Sequence, residues 1–444
     1  MIKVALINLG CPKNQVEGEY MLGVLEEAGF HLESSPYRAQ VVVVNTCAFI
    51  RAAREESLGI VRSLNDIKNR PLILLAGCLP QYLGAQAPHL VPQASAFLGP
   101  GAIPQLPAII KQALAGKRPM KVPEPQEEKW QLLPRLVTTF PYAYIKISEG
   151  CRHRCTFCTI PRFKGPYRSR PLKHIVSEAA ALVRAGIKEL ILVGQETTSY
   201  GLDLYGRPAL SELLKNLSRL EGLKWIRLLY LHPSGLTPAL VEALADIPRV
   251  LTYLDIPLQH VSPRILKKMG REGGPEAFLK LLSCIRQTLP GVCLRTTFMV
   301  GFPGEGEEDF SLLLDFLREA RFDWAGAFKY SPEPFTPAAS LYPQVPEEIK
   351  EERLFLLMEE QRDITRQCNT RWLGEEMEVL VEKPGVGRTF RQAPEIDGRI
   401  YFSKKTLLSP GQMVKMRMEK LINPYDFWGR ITGKNAETQA GLSN

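Results

Sequence analysis

The stretch EGCRHRCTFC, residues 149–158, sets three thiols on one short loop with the spacing Cys151-x3-Cys155-x2-Cys158. Three thiolates so placed hold three irons of a 4Fe–4S cube and leave the fourth without a protein ligand. Such an open iron accepts the amino and carboxylate groups of a small molecule. The alternative is a structural zinc site, which wants a fourth Cys or His, and His153 inside the loop is the candidate. Outward from the loop, apolar runs alternate with helical stretches. Ala143–Ser148, Glu189–Val193, Trp225–Leu229, Leu251–Ile256, Leu294–Val300 and Trp324–Tyr330 are strand-like, and His174–Ala185, closed by Gly186, is one of the intervening helices. Six βα units fall short of an eightfold barrel, so residues 137–369 read as a partial (βα)6 barrel. The cysteine loop follows its first strand, at the end where βα folds place their sites.

Upstream, residues 1–116 carry a related pattern. Lys3–Asn8, Val41–Asn45 and Leu72–Ala76 are apolar runs without alternation, separated by helical stretches such as Glu17–Ala28 with its stop at Gly29. Runs of that kind indicate an α/β domain with a parallel sheet buried on both faces. Cys11, Cys47 and Cys78 each end one run, 36 and 31 residues apart, close to one βαβ unit each. Parallel strands point the same way, so these thiols are expected to converge on one sheet edge as a second three-thiolate metal site. Three buried core thiols are the alternative. Cys284, Cys293 and Cys368 show no such placement and read as core or incidental residues.

Residues 117–136 carry four prolines among many charges and read as a linker. Residues 346–369 read as a charged amphipathic helix. From 370 to 432, short alternating runs (Met377–Val381, Arg399–Phe402, Met413–Met418) broken by turn signals predict a small antiparallel β-barrel. The last segment, 433–444, has little to bury and is expected to be disordered.

Composition sets the outer bounds. With 45% hydrophobic and 23% charged residues in 444, the chain has apolar surface for several cores. It has no apolar run of roughly 18 residues, so no membrane partner is expected. The N-terminus enters a strand at once without a basic leader, which makes the cytoplasm the expected location. Nine cysteines in such a chain argue for metal or redox use rather than disulfides. A net charge of +9 suits work near RNA.

The loop spacing, with Phe157 before the last cysteine, resembles the signature of the radical S-adenosylmethionine (SAM) superfamily. The resemblance implies reductive cleavage of SAM bound to the open iron. The segment MVGFPGE, residues 299–305, is similar to the superfamily's adenine-passing strand, with Gly301 allowing close backbone approach. By the same resemblance Phe157 is a cofactor contact, Gln195 and Glu196 meet the SAM amino group, and Gln259 and Arg295 reach ribose and carboxylate. Each of these four polar residues can instead satisfy barrel-top hydrogen bonds.

Three spaced cysteines in an N-terminal α/β domain, a CxxxCxxC barrel and a C-terminal β-barrel like a TRAM domain together resemble the methylthiotransferases. The likeness covers about residues 1–431. NLGCPKNQVEGE, LDIPLQHVSPRILKKMGR and APEIDGRIYF are similar to the RimO branch, which modifies an aspartate β-carbon of the twelfth small-subunit ribosomal protein. The resemblance implies two 4Fe–4S clusters, SAM as methyl and radical source, and a cluster-bound persulfide or polysulfide. It also implies a ribosomal-protein substrate, free or on the ribosome, an electron donor such as flavodoxin or ferredoxin, and RNA contact through the TRAM-like barrel. No residue is assigned from sequence as the anchor of the substrate aspartate, although the loop Lys164–Arg170 is suitably basic. Two rivals stand beside this reading. A tRNA adenosine methylthiotransferase would share the chemistry, and residues 371–434, with 12 basic and 8 acidic side chains, suit RNA. A non-enzymatic iron–sulfur RNA-binding redox sensor is the rival from another class.

Overall fold

The computed structural model describes residues 1–67, 70–125 and 130–432. The first unit is a parallel sheet in the order His31–Leu32, Lys3–Asn8, Val41–Thr46, Leu72–Gly77, Ala96–Leu98, Met120–Lys121. The run Val41–Thr46 is buried throughout, as a β-branched strand covered on both faces should be. Register pairs Asn8 with Asn45 and Thr46 with Gly77, so the three central strands end level. The three short outer strands lie below the length at which periodicity gives a signal. Within the segment 117–136, Met120–Lys121 forms an edge strand beside Phe97 and Leu98. The segment's far end is pinned too, because Arg135 pairs with Glu19 at 2.6 Å and Glu178 at 2.5 Å. Residues 126–129 of that segment, and the expected disordered tail, lie outside the described residues.

The second unit is a parallel sheet in chain order: Tyr142–Lys146, Glu189–Val193, Trp225–Leu228, Val250–Asp255, Cys293–Val300, Trp324–Lys329. Its first and last strands do not pair, so the barrel is partial. Side chains alternate with period two. Ala143, Ile145, Leu190, Leu192 and Leu254 belong to the core under the helices. Tyr144, Ile191, Val193 and Tyr253 belong instead to a core shared with Val16 and Tyr20 of the first unit and Leu380 and Ala393 of the last. One apolar cluster therefore runs through all three units and fixes their relative placement.

The last unit is a closed barrel of Glu376–Lys383, Val386–Arg388, Ile400–Tyr401, Phe427–Ile431 and Met413–Leu421. An all-antiparallel barrel was the expectation, but Ile400–Tyr401 runs parallel to Phe427–Ile431. The reason is arithmetic: directions cannot alternate around a closed ring of five strands. Arg388 reaches Glu189 at 2.6 Å and Asp397 accepts from the Tyr253 hydroxyl at 2.7 Å. Glu189 opens its strand, so the small barrel plugs the N-terminal end of the βα sheet, opposite the cysteine loop. Among the described residues no helix is long and apolar enough to cross a membrane.

Candidate active site

A cavity of about 560 Å³ lies where the C-terminal ends of the two parallel sheets meet, and Cys11, Cys47, Cys78, Cys151, Cys155 and Cys158 all line it. Local backbone explains the first triplet. Gly10 and Gly77, preceding Cys11 and Cys78, adopt φ of +92° and +86°. Glycine is required at both: a Cβ at Gly10 would stand 2.7 Å from the Cβ of Cys47, and one at Gly77 would stand 2.8 Å from the Thr46 carbonyl. The Asn14 Oδ1 accepts from the Cys11 thiol at 3.6 Å and the Cys78 thiol at 3.7 Å, while its Nδ2 donates to the Thr46 carbonyl at 2.8 Å. Three strand ends thus meet around one amide.

The second triplet sits on a loop tied to the segment after the fourth barrel strand. Thr156 donates through its amide to the Met269 carbonyl at 2.9 Å and through its hydroxyl to the Lys268 carbonyl at 2.8 Å. Arg271 donates to the Cys155 sulfur at 3.7 Å and to the Pro257 carbonyl at 2.9 Å. Burial pushes the Cys151 thiol up to about 11 and Cys158 up to about 12, and raises Cys47 and Cys78 as well. Buried thiols therefore stay protonated until metal cations replace the protons. Among the described residues no three His, Cys, Asp or Glu side chains stand close enough to chelate a single ion. The cavity that both triplets line leaves room for a polynuclear group. His153, the candidate fourth zinc ligand, stacks on His232 with centroids 3.7 Å apart.

Of the expected SAM contacts, Phe157, Gln195, Glu196 and Gln259 line the cavity. Gln195 donates to Glu149 at 2.7 Å, and the amide oxygens of Gln195 and Gln259 are buried without a partner. Orphaned acceptors on a cavity wall fit the amino and hydroxyl hydrogens of SAM. Glu196 lines the cavity but turns its carboxylate back to the Ser199 amide, 3.0 Å, and the Thr198 hydroxyl. Two other expected contacts lie outside that lining. Arg295 does not line the cavity; it lies two residues deeper in its strand than Thr297, which does, and pairs with Asp255 at 3.0 Å and Asp397 at 3.5 Å. Gly301 is also absent from the lining, because Lys350 of helix Glu347–Thr370 packs against its α-carbon. Of the basic loop Lys164–Arg170, Lys164 lines the cavity and pairs with Glu17 at 2.9 Å, while Arg170 pairs with Glu178. Sequence reasoning missed Lys13, Asn14, Tyr230 and Arg271, which line the cavity. The signal for Lys13 and Asn14 was their place in the first turn after Cys11.

Comparison with known proteins follows the same three units. A model for the radical SAM superfamily matches residues 145–317, one described as the uncharacterized protein family UPF0004 matches 3–99, and a TRAM domain model matches 373–432. Solved structures share the fold. The radical S-adenosylmethionine methyltransferase TsrM from Kitasatospora setae aligns with a TM-score of 0.55 at 17% identity over 76% of this chain and 75% of that one. The cobalamin-dependent S-adenosylmethionine radical enzyme OxsB aligns at 0.51 and 16% identity, over 82% of this chain and 58% of its own. Fold and cysteine loop together define a radical SAM enzyme, with iron–sulfur and SAM as its cofactors. A protein named ribosomal protein uS12 methylthiotransferase RimO, from Moorella thermoacetica, is 53% identical over 97% of this chain and 100% of its own length. One of the same name from Heliobacterium modesticaldum is 43% identical over 98% and 96%. The chain belongs to the RimO family of radical SAM methylthiotransferases.

Proposed function

We propose that this enzyme inserts a methylthio group at the β-carbon of an aspartate in the small-subunit ribosomal protein uS12. One 4Fe–4S cluster is held by Cys151, Cys155 and Cys158. A second is held by Cys11, Cys47 and Cys78 and carries the sulfur as a persulfide or polysulfide. The observation that carries this reading is the single cavity lined by both triplets. A carbon radical made at one site can meet sulfur at the other only if no wall stands between them. The names of the full-length relatives support the ribosomal protein as substrate.

When bound, SAM and the two clusters supply a carbon-centred radical, a sulfur atom and a methyl group. The chain does the rest. Gln195 and Gln259 offer unpaired acceptors to orient SAM. Phe49, Ile50, Leu231 and Phe328 make apolar walls that exclude water and stray hydrogen donors. Glu17 of the first unit bonds Lys146 and Lys164 of the second at 2.8 and 2.9 Å, holding the triplets at a fixed spacing. A one-electron donor of the flavodoxin or ferredoxin type supplies the reductant, and the TRAM-like barrel offers a contact to ribosomal RNA in the cytoplasm.

The test is reconstitution with iron and sulfide without oxygen, then reduction with SAM while uS12 and unmodified tRNA are offered in parallel. A methylthio mass shift on the protein's aspartate is expected. A shift on tRNA alone would overturn the substrate and make the small barrel an RNA holder.

A further inference from the structure

Lys13 occupies the first turn of helix Pro12–Glu27, lines the cavity, and is only 9% exposed. Its ammonium donates to the Gly194 carbonyl at 3.3 Å and lies 3.7 Å from the centre of the Tyr230 ring. Among the described residues no carboxylate stands within ion-pair distance of it. Nearby buried cations differ in this respect. Lys146 and Lys164 are matched by Glu17 and Glu149, and Arg170 by Glu178. An ammonium taken out of water without a counter-ion is costly, and one aimed into a cavity is a site for an anion.

Tyr230 reinforces the point. Its φ is +62°, a strained value for an aromatic residue. The conformation is held from several sides: the amide of Tyr230 donates to Asp255 at 3.0 Å, and its carbonyl accepts from the Thr197 amide and hydroxyl, each at 3.1 Å. Strain maintained by its surroundings at a cavity wall marks a position kept for function. Here it keeps an aromatic face beneath the ammonium, which steadies the cation without neutralising it.

We propose that Lys13, seated on Tyr230, anchors the carboxylate of the protein side chain being modified; the assignment rests on the aspartate-methylthiolation reading above. In aspartate the β-carbon is bonded directly to the carboxyl carbon. A carboxylate fixed at Lys13 therefore fixes the reacting carbon about 1.5 Å from its carboxyl carbon, the length of one C–C bond. Lys13 is two residues from Cys11, so that carbon is presented beside the sulfur-carrying triplet. An unpaired cation also rejects asparagine, whose neutral amide leaves the charge uncompensated.

The test uses reconstituted full-length enzyme, wild type and with Lys13→Met or Lys13→Arg, on uS12 bearing either aspartate or asparagine at the target position. Iron content and the KM-against-kcat split are read together. Lys13→Met should keep wild-type iron content and raise KM for the aspartate substrate roughly thirtyfold or more, the loss expected when one partner of a buried charge pair is removed. Its preference for aspartate over asparagine should collapse, and Lys13→Arg should recover part of both. An unchanged KM, or an equal loss on both substrates, would overturn the assignment. Loss of iron would overturn it too, making Lys13 a counter-charge for the cluster. If wild-type enzyme modifies no uS12 while the variants hold iron normally, the underlying substrate reading is what fails.

Discussion

Replacing Glu17 by Gln should loosen the joint that sets the two cysteine triplets face to face. Glu17 lies on helix Pro12–Glu27 of the first unit, while Lys146, Glu149 and Lys164 belong to the βα barrel. All four are buried, and they balance as two ammoniums and two carboxylates. Lys146 bonds Glu17 at 2.8 Å and Glu149 at 2.5 Å, and Lys164 lies 2.9 Å from Glu17 and 3.4 Å from Glu149. Glu17→Gln leaves two buried ammoniums against one carboxylate. Breaking a buried pair from one side costs about 3–5 kcal/mol. The Gln carbonyl can still accept one hydrogen bond, which recovers about 1 kcal/mol. The net loss should be about 2–4 kcal/mol, or roughly thirty- to several-hundredfold in the opening equilibrium of the joint. Amide hydrogen exchange read by mass spectrometry over residues 12–27 and 142–149 measures that opening directly. A double variant, Glu17→Met with Lys164→Met, removes both charges and should regain much of the protection, because apolar replacement of a whole buried pair is often neutral. A protection loss below about threefold in Glu17→Gln, or no recovery in the double variant, would refute the reasoning.

Three more outcomes follow from the same geometry. Burial alone would raise the Glu17 and Glu149 carboxyls, but the Lys146 and Lys164 ammoniums outweigh it and hold both below the usual carboxylate range. Their folded values lie under the unfolded value of about 4.3, so the stability they contribute is present above that pH and is lost as pH falls through the folded values. Exchange protection at the joint should be flat from neutrality to about pH 5 and fall in more acid solution. Cys155→Ala should abolish 5′-deoxyadenosine formation, whereas Cys47→Ala should abolish sulfur insertion and leave some SAM cleavage; chromatography of the nucleoside beside mass spectrometry of the substrate separates the two. Gly77→Ala forces a Cβ into a backbone conformation with φ +86° and ψ −142° beside the Thr46 carbonyl. It should cost about 1–3 kcal/mol and lower iron content at the first triplet. Gly29→Ala, at φ +79° but with open space around it, should leave iron content unchanged.

How much of this was legible in the sequence depended on whether the signal was local. The strand Glu189–Val193 was readable residue for residue; the first triplet was marked by apolar runs ending in cysteine and the second by its spacing on one loop. Outer strands such as His31–Leu32 were not readable, because two residues carry no period. Arg295 is a subtler case. Period two aims it to the same side as Thr297, and depth along the strand, which sequence does not give, sets it against Asp255, Asp397 and the cavity-lining Thr297. The buried network was illegible for another reason: Glu17 meets Lys146 across 129 residues, and a buried charge reads in sequence as a solvated one. Lys13 was hidden by the same default.

The most direct test of the central claim, that one cavity joins radical generation to sulfur insertion, is to offer uS12 carrying a β-dideuterated aspartate. The mass of the 5′-deoxyadenosine and of the protein is then read from the same reaction. If the claim holds, deuterium appears in the nucleoside in step with methylthio product for wild type, and Cys47→Ala gives labelled nucleoside without methylthio product. Methylthio product from Cys47→Ala at the wild-type rate, or product accumulating while the nucleoside stays unlabelled, would contradict it.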